Sequence, residues 1–201
     1  MEQFFHLSNS SYSTTIMPRM EISQKWQLLK EPIKNYSCPA FLEHDIWEGI
    51  YPSWLSFPVV FHQNGGERIR DVLGDGMRVV LISDRMVNIL IEEQLTGWKT
   101  YKILFYDNRG ETITGFNGFS VIGRGGTYVF SPDCPKDWMQ CEIKYANKEH
   151  RTYDIRQWDG SDFFTISGSL FSTKRAVDAL KKHKISSLLY QPIEELFTLI
   201  G

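Results

Sequence analysis

Apolar and polar positions follow the same order in two stretches of the chain that lie 90 residues apart. Residues 79–98 (VVLISDRMVNILIEEQLTGW) align without a gap on residues 169–188 (SLFSTKRAVDALKKHKISSL). Each stretch begins with a short apolar run and continues through Ser83 or Thr173, residue types that cap helices, into a helical pattern. Gly97 stands where a left-handed residue would end the first helix. The pattern predicts two similar strand–helix units, arising either from a duplication or from chance similarity.

The spacing of apolar residues predicts where helices and strands lie. Residues 84–95 and 173–184 have apolar side chains at helical spacing, so each is predicted to be an amphipathic helix. Residues 79–82 are uniformly apolar, as in a strand buried on both faces. Residues 99–146 alternate between turns and strand-like runs, and residues 192–199 are predicted to form a short helix. We therefore expect an α+β fold, with a mixed or largely antiparallel sheet carrying the two strand–helix units.

The beginning of the chain has the least regular pattern. Five prolines and a run of Ser and Thr interrupt residues 1–65, leaving a short helix at 22–30 and a strand at 57–62 as the predicted elements. We expect this segment to wrap irregularly around a β-rich core formed by residues 66–201. The whole chain, residues 1–201, is expected to form a single α+β domain.

Composition excludes several classes of protein. With 201 residues, 42% of them hydrophobic, the chain can build a core without a disulfide or metal staple. The net charge of −2 leaves no clustered basic surface of the kind that nucleic acids require. No apolar stretch reaches the ~18 residues of a membrane span, and the first residues do not resemble a signal peptide. Because the cysteines number three, an odd count, we expect free thiols and a cytoplasmic protein.

Residues with catalytic chemistry are present but do not form a recognised motif. There is no G-x-S-x-G elbow, no H-E-x-x-H pair and no phosphate-binding loop, since the glycines at 123–126 precede a strand-like run. Cys134 and Cys141 lack the paired spacing of zinc ligands, although they could pair with each other across a hairpin. We therefore predict a protein that is not an enzyme, with no catalytic, cofactor-binding or metal-binding residues.

The densest cluster of polar and aromatic residues spans positions 158–164 (WDGSDFF). Asp159 and Asp162 could act as a carboxylate pair, but a calcium loop would need more oxygen ligands than this segment has. The alternative is a turn in which the Asp side chains bind nearby backbone N–H groups and Trp158 anchors one side. A similar cluster surrounds Trp138. The candidate partner-binding residues are Trp158, Asp159, Asp162 and Trp138.

Two segments of the chain resemble a known class of protein. Residues 157–192, with W-D-G-S-D-F-F, a strand and S/T-x-R-x-x-x-x-L, are similar to the C-terminal part of bacterial polymorphic-toxin immunity proteins of immunity families 11 and 43. Residues 79–98, with S-D-R-M-V-N-I-L and L-T-G-W, are similar to a second recurrent element of those proteins. The resemblance covers about a third of the chain. It implies a small cytosolic α+β protein that binds and neutralises a cognate toxin domain, and it assigns no contact residue.

The sequence thus favours an interaction protein, with an immunity protein as the leading hypothesis and a cognate protein toxin as its partner. The abundance of Trp and Tyr is consistent with this hypothesis, because these residues dominate interface hot spots. One alternative is an enzyme with a non-standard site built on Asp159, Asp162 or a Cys–His pair. The other is a ligand-binding regulatory domain that uses aromatic side chains or the basic helix end at residues 181–184.

Overall fold

A computed structural model describes residues 2–9, 15–21, 39–74, 78–130, 150–185 and 187–201. Within these ranges the fold class is α+β, as the sequence predicts, because short helices accompany antiparallel and mixed sheets. No helix in the described ranges is long and apolar enough to cross a membrane.

The helices are α1 (Pro39–Trp47), α2 (Asp84–Glu92) and α3 (Lys174–Lys182). The strands in chain order are β1 (Phe4–Asn9), β2 (Pro18–Met20), β3 (Val59–Gln63), β4 (Val72–Gly74), β5 (Val79–Ser83), β6 (Trp98–Tyr101), β7 (Ile103–Tyr106), β8 (Phe116–Val121), β9 (Gly123–Arg124), β10 (Val129–Phe130), β11 (Arg151–Asp154), β12 (Phe163–Ile166), β13 (Ser169–Thr173), β14 (Leu188–Pro192) and β15 (Thr198–Ile200). Short 3-10 turns at Ile155–Gln157 and Ile193–Glu195 precede β12 and β15.

These strands form four sheets. The largest has the order β14-β1-β13-β12-β9, and a four-stranded sheet has the order β4-β5-β8-β6. Two three-stranded sheets have the orders β2-β3-β7 and β10-β11-β15. Neighbouring strands are antiparallel except in the pairs β3–β7, β9–β12 and β11–β15. Long-range pairing therefore joins the first strand of the chain to its last third.

The two predicted strand–helix units are present and have matching boundaries. Strand β5 and helix α2 begin and end 90 residues before β13 and α3. Ser83 accepts a hydrogen bond from the backbone N–H of Met86 at 3.1 Å, and Thr173 accepts one from Ala176 at 3.3 Å. Both predicted helix caps are therefore confirmed, each satisfying an N–H group that the helix itself leaves unbonded.

One hydrophobic core contains side chains of both units and of the two larger sheets. Met86 and Leu90 of α2, together with Val177 and Leu180 of α3, are buried in it, as their spacing predicts. Ile91, which the same pattern assigns to the apolar stripe, is 60% exposed. The buried face of α2 is formed by Met86, Ile89 and Leu90, and Ile91 lies about 100° further around the helix from Leu90, toward solvent.

Glycine does not end the first helix as predicted. The left-handed residue after α2 is Gln94, with a φ of 52°, and its counterpart after α3 is Lys184, with a φ of 55°. Gly97 has a φ of 83°, but a side chain there would place its Cβ 1.9 Å from the carbonyl oxygen of Phe163. Gly97 is therefore required by a close approach between the two units rather than by the helix end.

The described residues within 1–65 differ from the irregular segment that the sequence predicts. Strand β1 lies inside the largest sheet between β13 and β14, and β3 pairs with β2 and β7. Phe4 and Leu7 of β1 are buried. Local pattern does not reveal this arrangement, because both neighbours of β1 lie more than 150 residues further along the chain. The predicted helix at 22–30 lies outside the described residues.

The remaining predictions near the chain's middle and end are met in part. At the start of the region 99–146, predicted to contain strand-like runs, residues 101–106 are divided between β6 and β7. The short helix predicted at 192–199 is a single 3-10 turn followed by β15, whose parallel pairing with β11 gives the last residues a strand conformation.

Candidate interaction surface

The predicted site residues Trp158, Asp159 and Asp162 lie on one turn between β11 and β12. The indole N–H of Trp158 donates to the carbonyl of Ser161 at 2.8 Å, and its ring meets Phe4 edge-on with centroids 4.9 Å apart. Trp158 therefore fixes the turn against strand β1. Trp138 lies outside the described residues, as do the three cysteines.

Asp159 closes this turn and ties it to strand β9. One carboxylate oxygen of Asp159 accepts the backbone N–H of Ser161 at 2.9 Å, and the other accepts that of Arg124 at 2.7 Å. This is the Asp-stabilised turn that the sequence offers as the structural alternative to a binding role. Both oxygens have in-chain donors.

Asp162 is buried and connects the two strand–helix units. It is 4% exposed, and its carboxylate accepts the backbone N–H of Thr96 at 2.9 Å and the hydroxyl of Thr173 at 2.9 Å. The Arg175 guanidinium donates to both oxygens, with Nε 3.0 Å from Oδ1. Burial alone would raise the pKa of Asp162, but these hydrogen bonds outweigh it and hold the pKa below its ordinary value.

A second Asp occupies the equivalent place in the first unit. The hydroxyl of Ser83 donates to Asp71 at 2.9 Å, and Arg85 donates to the same carboxylate at 2.7 Å. Asp71, Ser83 and Arg85 therefore repeat the contacts of Asp162 with Thr173 and Arg175. Alignment of the two units at an offset of 90 residues does not match these aspartates, because Asp71 and Asp162 are 91 residues apart.

The C-terminal ends of helices α2 and α3 meet in a polar cluster on the surface. Nζ of Lys182 and Nε2 of His183 each lie 2.7 Å from the same carboxylate oxygen of Glu93. The hydrogen bonds from Lys182 and His183 lower the pKa of Glu93. The basic helix end at 181–184 thus contacts an acidic group of the first unit.

No group of three His, Cys, Asp or Glu side chains within the described ranges is arranged to hold a metal ion. The carboxylates of Asp159 and Asp162 are engaged by N–H and O–H donors of the chain itself. The hydrogen bonds of Asp159 and Asp162 therefore connect this turn to other segments of the fold.

An exposed aromatic loop between α1 and β3 presents large apolar side chains that the sequence pattern does not identify as a site. Ile50, Trp54 and Phe57 are 51%, 41% and 42% exposed, although each is a large apolar side chain. Ile122, 44% exposed, lies against Gly49 at the base of this loop. We call Ile50, Trp54, Phe57 and Ile122 the aromatic-loop surface. The sequence signal was present in the run IYPSWLSFP, where aromatic residues stand in a segment rich in turn formers.

Buried and polar contacts beneath this surface hold it in place. The Tyr51 ring packs edge-on against Phe57 and Tyr101, and its hydroxyl lies 3.0 Å from the hydroxyl of Ser120. Nζ of Lys99 lies 4.1 Å from the centre of the Tyr51 ring and donates to the Gly49 carbonyl at 2.8 Å. These contacts hold Gly49, Tyr51 and Phe57 against the fold, while Ile50, Trp54 and Phe57 keep much of their side-chain surface exposed.

The rim of the aromatic-loop surface carries Lys99 and Arg124, and the carboxylate of Glu48 lies 4.0 Å from the Arg124 guanidinium. Burial lowers the pKa of Lys99, and the positive charge of nearby Arg124 lowers it further. Arg124 donates to the carbonyl of Glu48 at 2.8 Å and keeps a half-exposed side chain. An apolar centre with charged groups at its edge is the usual anatomy of a protein interface.

A cavity of about 270 Å³ lies near the first residues of α1. Its walls include apolar side chains and one ion pair, in which Arg78 is 3.9 Å from Glu43. The apolar part of the wall is formed by Met17, Met20, Trp47, Phe61, Val80 and Tyr101.

Comparison with protein families and with curated proteins gives no relative of this chain. No protein-family model matches the sequence, and no curated protein matches it significantly.

Proposed function

We propose that this chain is an immunity protein that acts in the cytoplasm by binding and neutralising a cognate protein toxin. The observation that carries the proposal is the aromatic-loop surface, where three large apolar side chains are partly exposed on a loop that Tyr51 and Lys99 tie to the fold. Exposed Trp and Phe side chains of this kind supply most of the binding energy at protein interfaces. The resemblance of residues 79–98 and 157–192 to immunity proteins supports the same function.

The charges around this surface favour a particular kind of partner. Lys99 and Arg124 at the rim would meet carboxylates on a toxin surface, which speeds association and selects the orientation of binding. Trp158 and Asp159 remain candidate contacts, since the turn that holds them adjoins Arg124 through Asp159. Asp162 is assigned to the interior of the protein in this proposal, because its carboxylate is buried and fully engaged.

Co-expression with a neighbouring gene product tests the function. The toxin-like domain encoded next to this chain should arrest bacterial growth, and co-expression of this chain should restore growth and give a complex that elutes together in gel filtration. Failure to restore growth, or the lack of any toxin-like gene nearby, contradicts the proposal.

A variant of the loop tests the surface. The triple variant Ile50→Ser, Trp54→Ser, Phe57→Ser should bind the toxin at least ~100-fold more weakly, since hot-spot residues contribute about 2 kcal/mol or more each. The control is Ile91→Ser, which removes an equally exposed apolar side chain from helix α2. If the triple variant and the control bind the toxin equally well, the contact surface lies elsewhere on the protein. That result would not contradict neutralisation of the toxin.

The cavity beside α1 favours a second candidate function, a regulatory domain that binds a small ligand. Its apolar walls and its Arg78–Glu43 pair suit a small, partly apolar molecule with one polar group. A thermal-shift screen against nucleotides and small metabolites separates this function from the first. A reproducible rise in melting temperature that Phe61→Trp abolishes by filling the cavity would support it.

A further inference from the structure

We propose that the chain consists of two tandem copies of one structural unit, residues 4–106 and 116–200, which exchange their first strands. Each copy supplies the strand that completes the other copy's main sheet. The two halves are therefore interlocked. The repeat seen at 79–98 and 169–188 is the best-preserved part of the correspondence between the two copies.

Element order is the first observation. Apart from α1 in the first half and β9 in the second, the first half runs β1, β2, β3, β4, β5, α2, β6, β7, and the second runs β8, β10, β11, β12, β13, α3, β14, β15. The three-stranded sheets also correspond, because β2-β3-β7 and β10-β11-β15 each have one antiparallel and one parallel pair in the same order. Chance similarity between two strand–helix units does not account for agreement over seven strands.

Strand exchange follows from the order within the main sheets. Strand β8 of the second half lies between β5 and β6 of the first half, whereas β1 of the first half lies between β13 and β14 of the second. Each half thus begins with a strand that is central in the other half's sheet. Without its partner, each half would have an open position between two of its strands, with unpaired backbone groups on both sides.

Register makes the correspondence quantitative. Gly118 of β8 faces Leu81 on one side and Tyr101 on the other. His6 of β1 faces Phe171 and Gln191, which are the residues 90 positions further along on both sides. Strand pairing is strongly specified in buried sheets, because a shift of one residue reverses the two faces. Two independent pairings would rarely agree on both edges.

Reciprocal contacts cross the boundary between the halves. Arg85 of the first half donates to the carbonyl of His183, and Arg175 of the second half donates to that of Glu93 at 3.4 Å. Arg85 and Arg175 are 90 residues apart, and so are Glu93 and His183. Such paired contacts are those that a twofold relation between two copies produces.

The exchange has a consequence for the aromatic-loop surface, and this step alone rests on the proposed function. Ile50 and Phe57 come from the first half, while Ile122 and Arg124 follow the exchanged strand of the second half. The surface is therefore composite, and a partner that binds it contacts both halves.

A cross-linking experiment on the full chain tests the exchange. In a variant with Cys38, Cys134 and Cys141 replaced by Ser, a protease site is inserted in the exposed turn between Asn108 and Arg109. Ser8→Cys and Leu189→Cys are then added, since these positions face each other across β1 and β14 and opposed strand residues suit a disulfide. After oxidation and cleavage, the two fragments should migrate as one species on a non-reducing denaturing gel and as two after reduction.

The matched control places the disulfide within the first half, with Val60→Cys and Leu104→Cys on the neighbouring strands β3 and β7. Its fragments should separate on the same gel without reduction. A Ser8–Leu189 variant whose fragments separate, or which links two whole chains, overturns the proposal. If that variant fails to fold, the pair Lys99→Cys and Ser120→Cys makes the same test across β6 and β8, the other exchanged strand.

Discussion

At the scale of single residues, Gly97 lies at a close approach between the two halves. A Cβ at this position would lie 1.9 Å from the Phe163 carbonyl oxygen and 2.7 Å from Cβ of Ser161. The equivalent residue in the second half is Ser187, which keeps the same left-handed conformation with a φ of 78°. Because Ser187 adopts this conformation with a side chain, it is the lack of space that requires glycine at position 97.

We expect Gly97→Ala to lower the free energy of unfolding by more than about 3 kcal/mol, since the new methyl group would meet backbone rather than a flexible side chain. Gly110→Ala is the matched control, because Gly110 has a φ of 82° but a Cβ added there would have no other atom within 4 Å. It should lose only the ~1–2 kcal/mol of a left-handed alanine. Urea unfolding measures both, and equal losses would contradict the steric explanation.

Asp162 makes the stability of the protein depend on pH in the acidic range. Because folding lowers the pKa of Asp162, its carboxylate contributes fully to stability above the ordinary Asp pKa of ~3.9. This contribution to stability is lost as the pH falls through the pKa that Asp162 has in the folded protein. Asp162→Asn should cost about 2 kcal/mol at pH 7, with the difference from the parent shrinking toward pH 3.

The control for this prediction is Asp178→Asn. Asp178 pairs with Lys174 on the exposed face of α3, where an ion pair contributes less than ~1 kcal/mol. Unfolding curves recorded from pH 7 to pH 3 give both values. A constant difference between Asp162→Asn and the parent across this range would show that the carboxylate does not act through its charge.

At the scale of elements, strand β1 shows how much a short terminal segment contributes. It has six residues, yet it forms backbone pairs on both sides and buries Phe4 and Leu7. Leu7 belongs to the core shared by both strand–helix units, where it occupies the position that Phe119 of β8 has in the other sheet.

Leu7→Ala should therefore lower the free energy of unfolding by about 2–5 kcal/mol, as for a leucine in a protein core. Gln3→Ala, next to the strand and exposed, should change it by less than ~0.5 kcal/mol. Chemical denaturation followed by tryptophan fluorescence measures the difference. A small effect of Leu7→Ala would indicate that β1 is dispensable, as expected of a loosely wrapped terminus.

At the scale of the whole molecule, exchanged strands and a shared core connect the two halves. Val79, Ile82 and Phe119 contribute to the same core as Phe163 and Val177. Loss of either half would leave the other with an open sheet and an exposed apolar face. The aromatic-loop surface depends on both halves for the same reason.

Cooperative unfolding is the expected outcome. Far-ultraviolet circular dichroism and tryptophan fluorescence should report a single urea transition with the same midpoint, because neither half can stay folded alone. Two separated transitions would contradict the coupling of the halves. Substitution of Arg85 and Arg175 together by Ala provides the comparison, and it should lower the midpoint without dividing the transition.

Local sequence determined the two strand–helix units. The caps Ser83 and Thr173 and the apolar stripes of α2 and α3 are encoded within about twelve residues each, so their positions follow from local pattern. The predicted contacts of Trp158, Asp159 and Trp138 with a partner stay predictions.

Only the tertiary structure decided the place of β1, the burial of Asp162 and the exposure of Trp54. Each depends on residues distant in sequence: β1 on strands β13 and β14, Asp162 on Thr96 and Arg175, and Trp54 on a loop that is bonded to Lys99 and Ser120. A strand's neighbours and a side chain's burial are set by such long-range packing, which the period of a single segment does not contain.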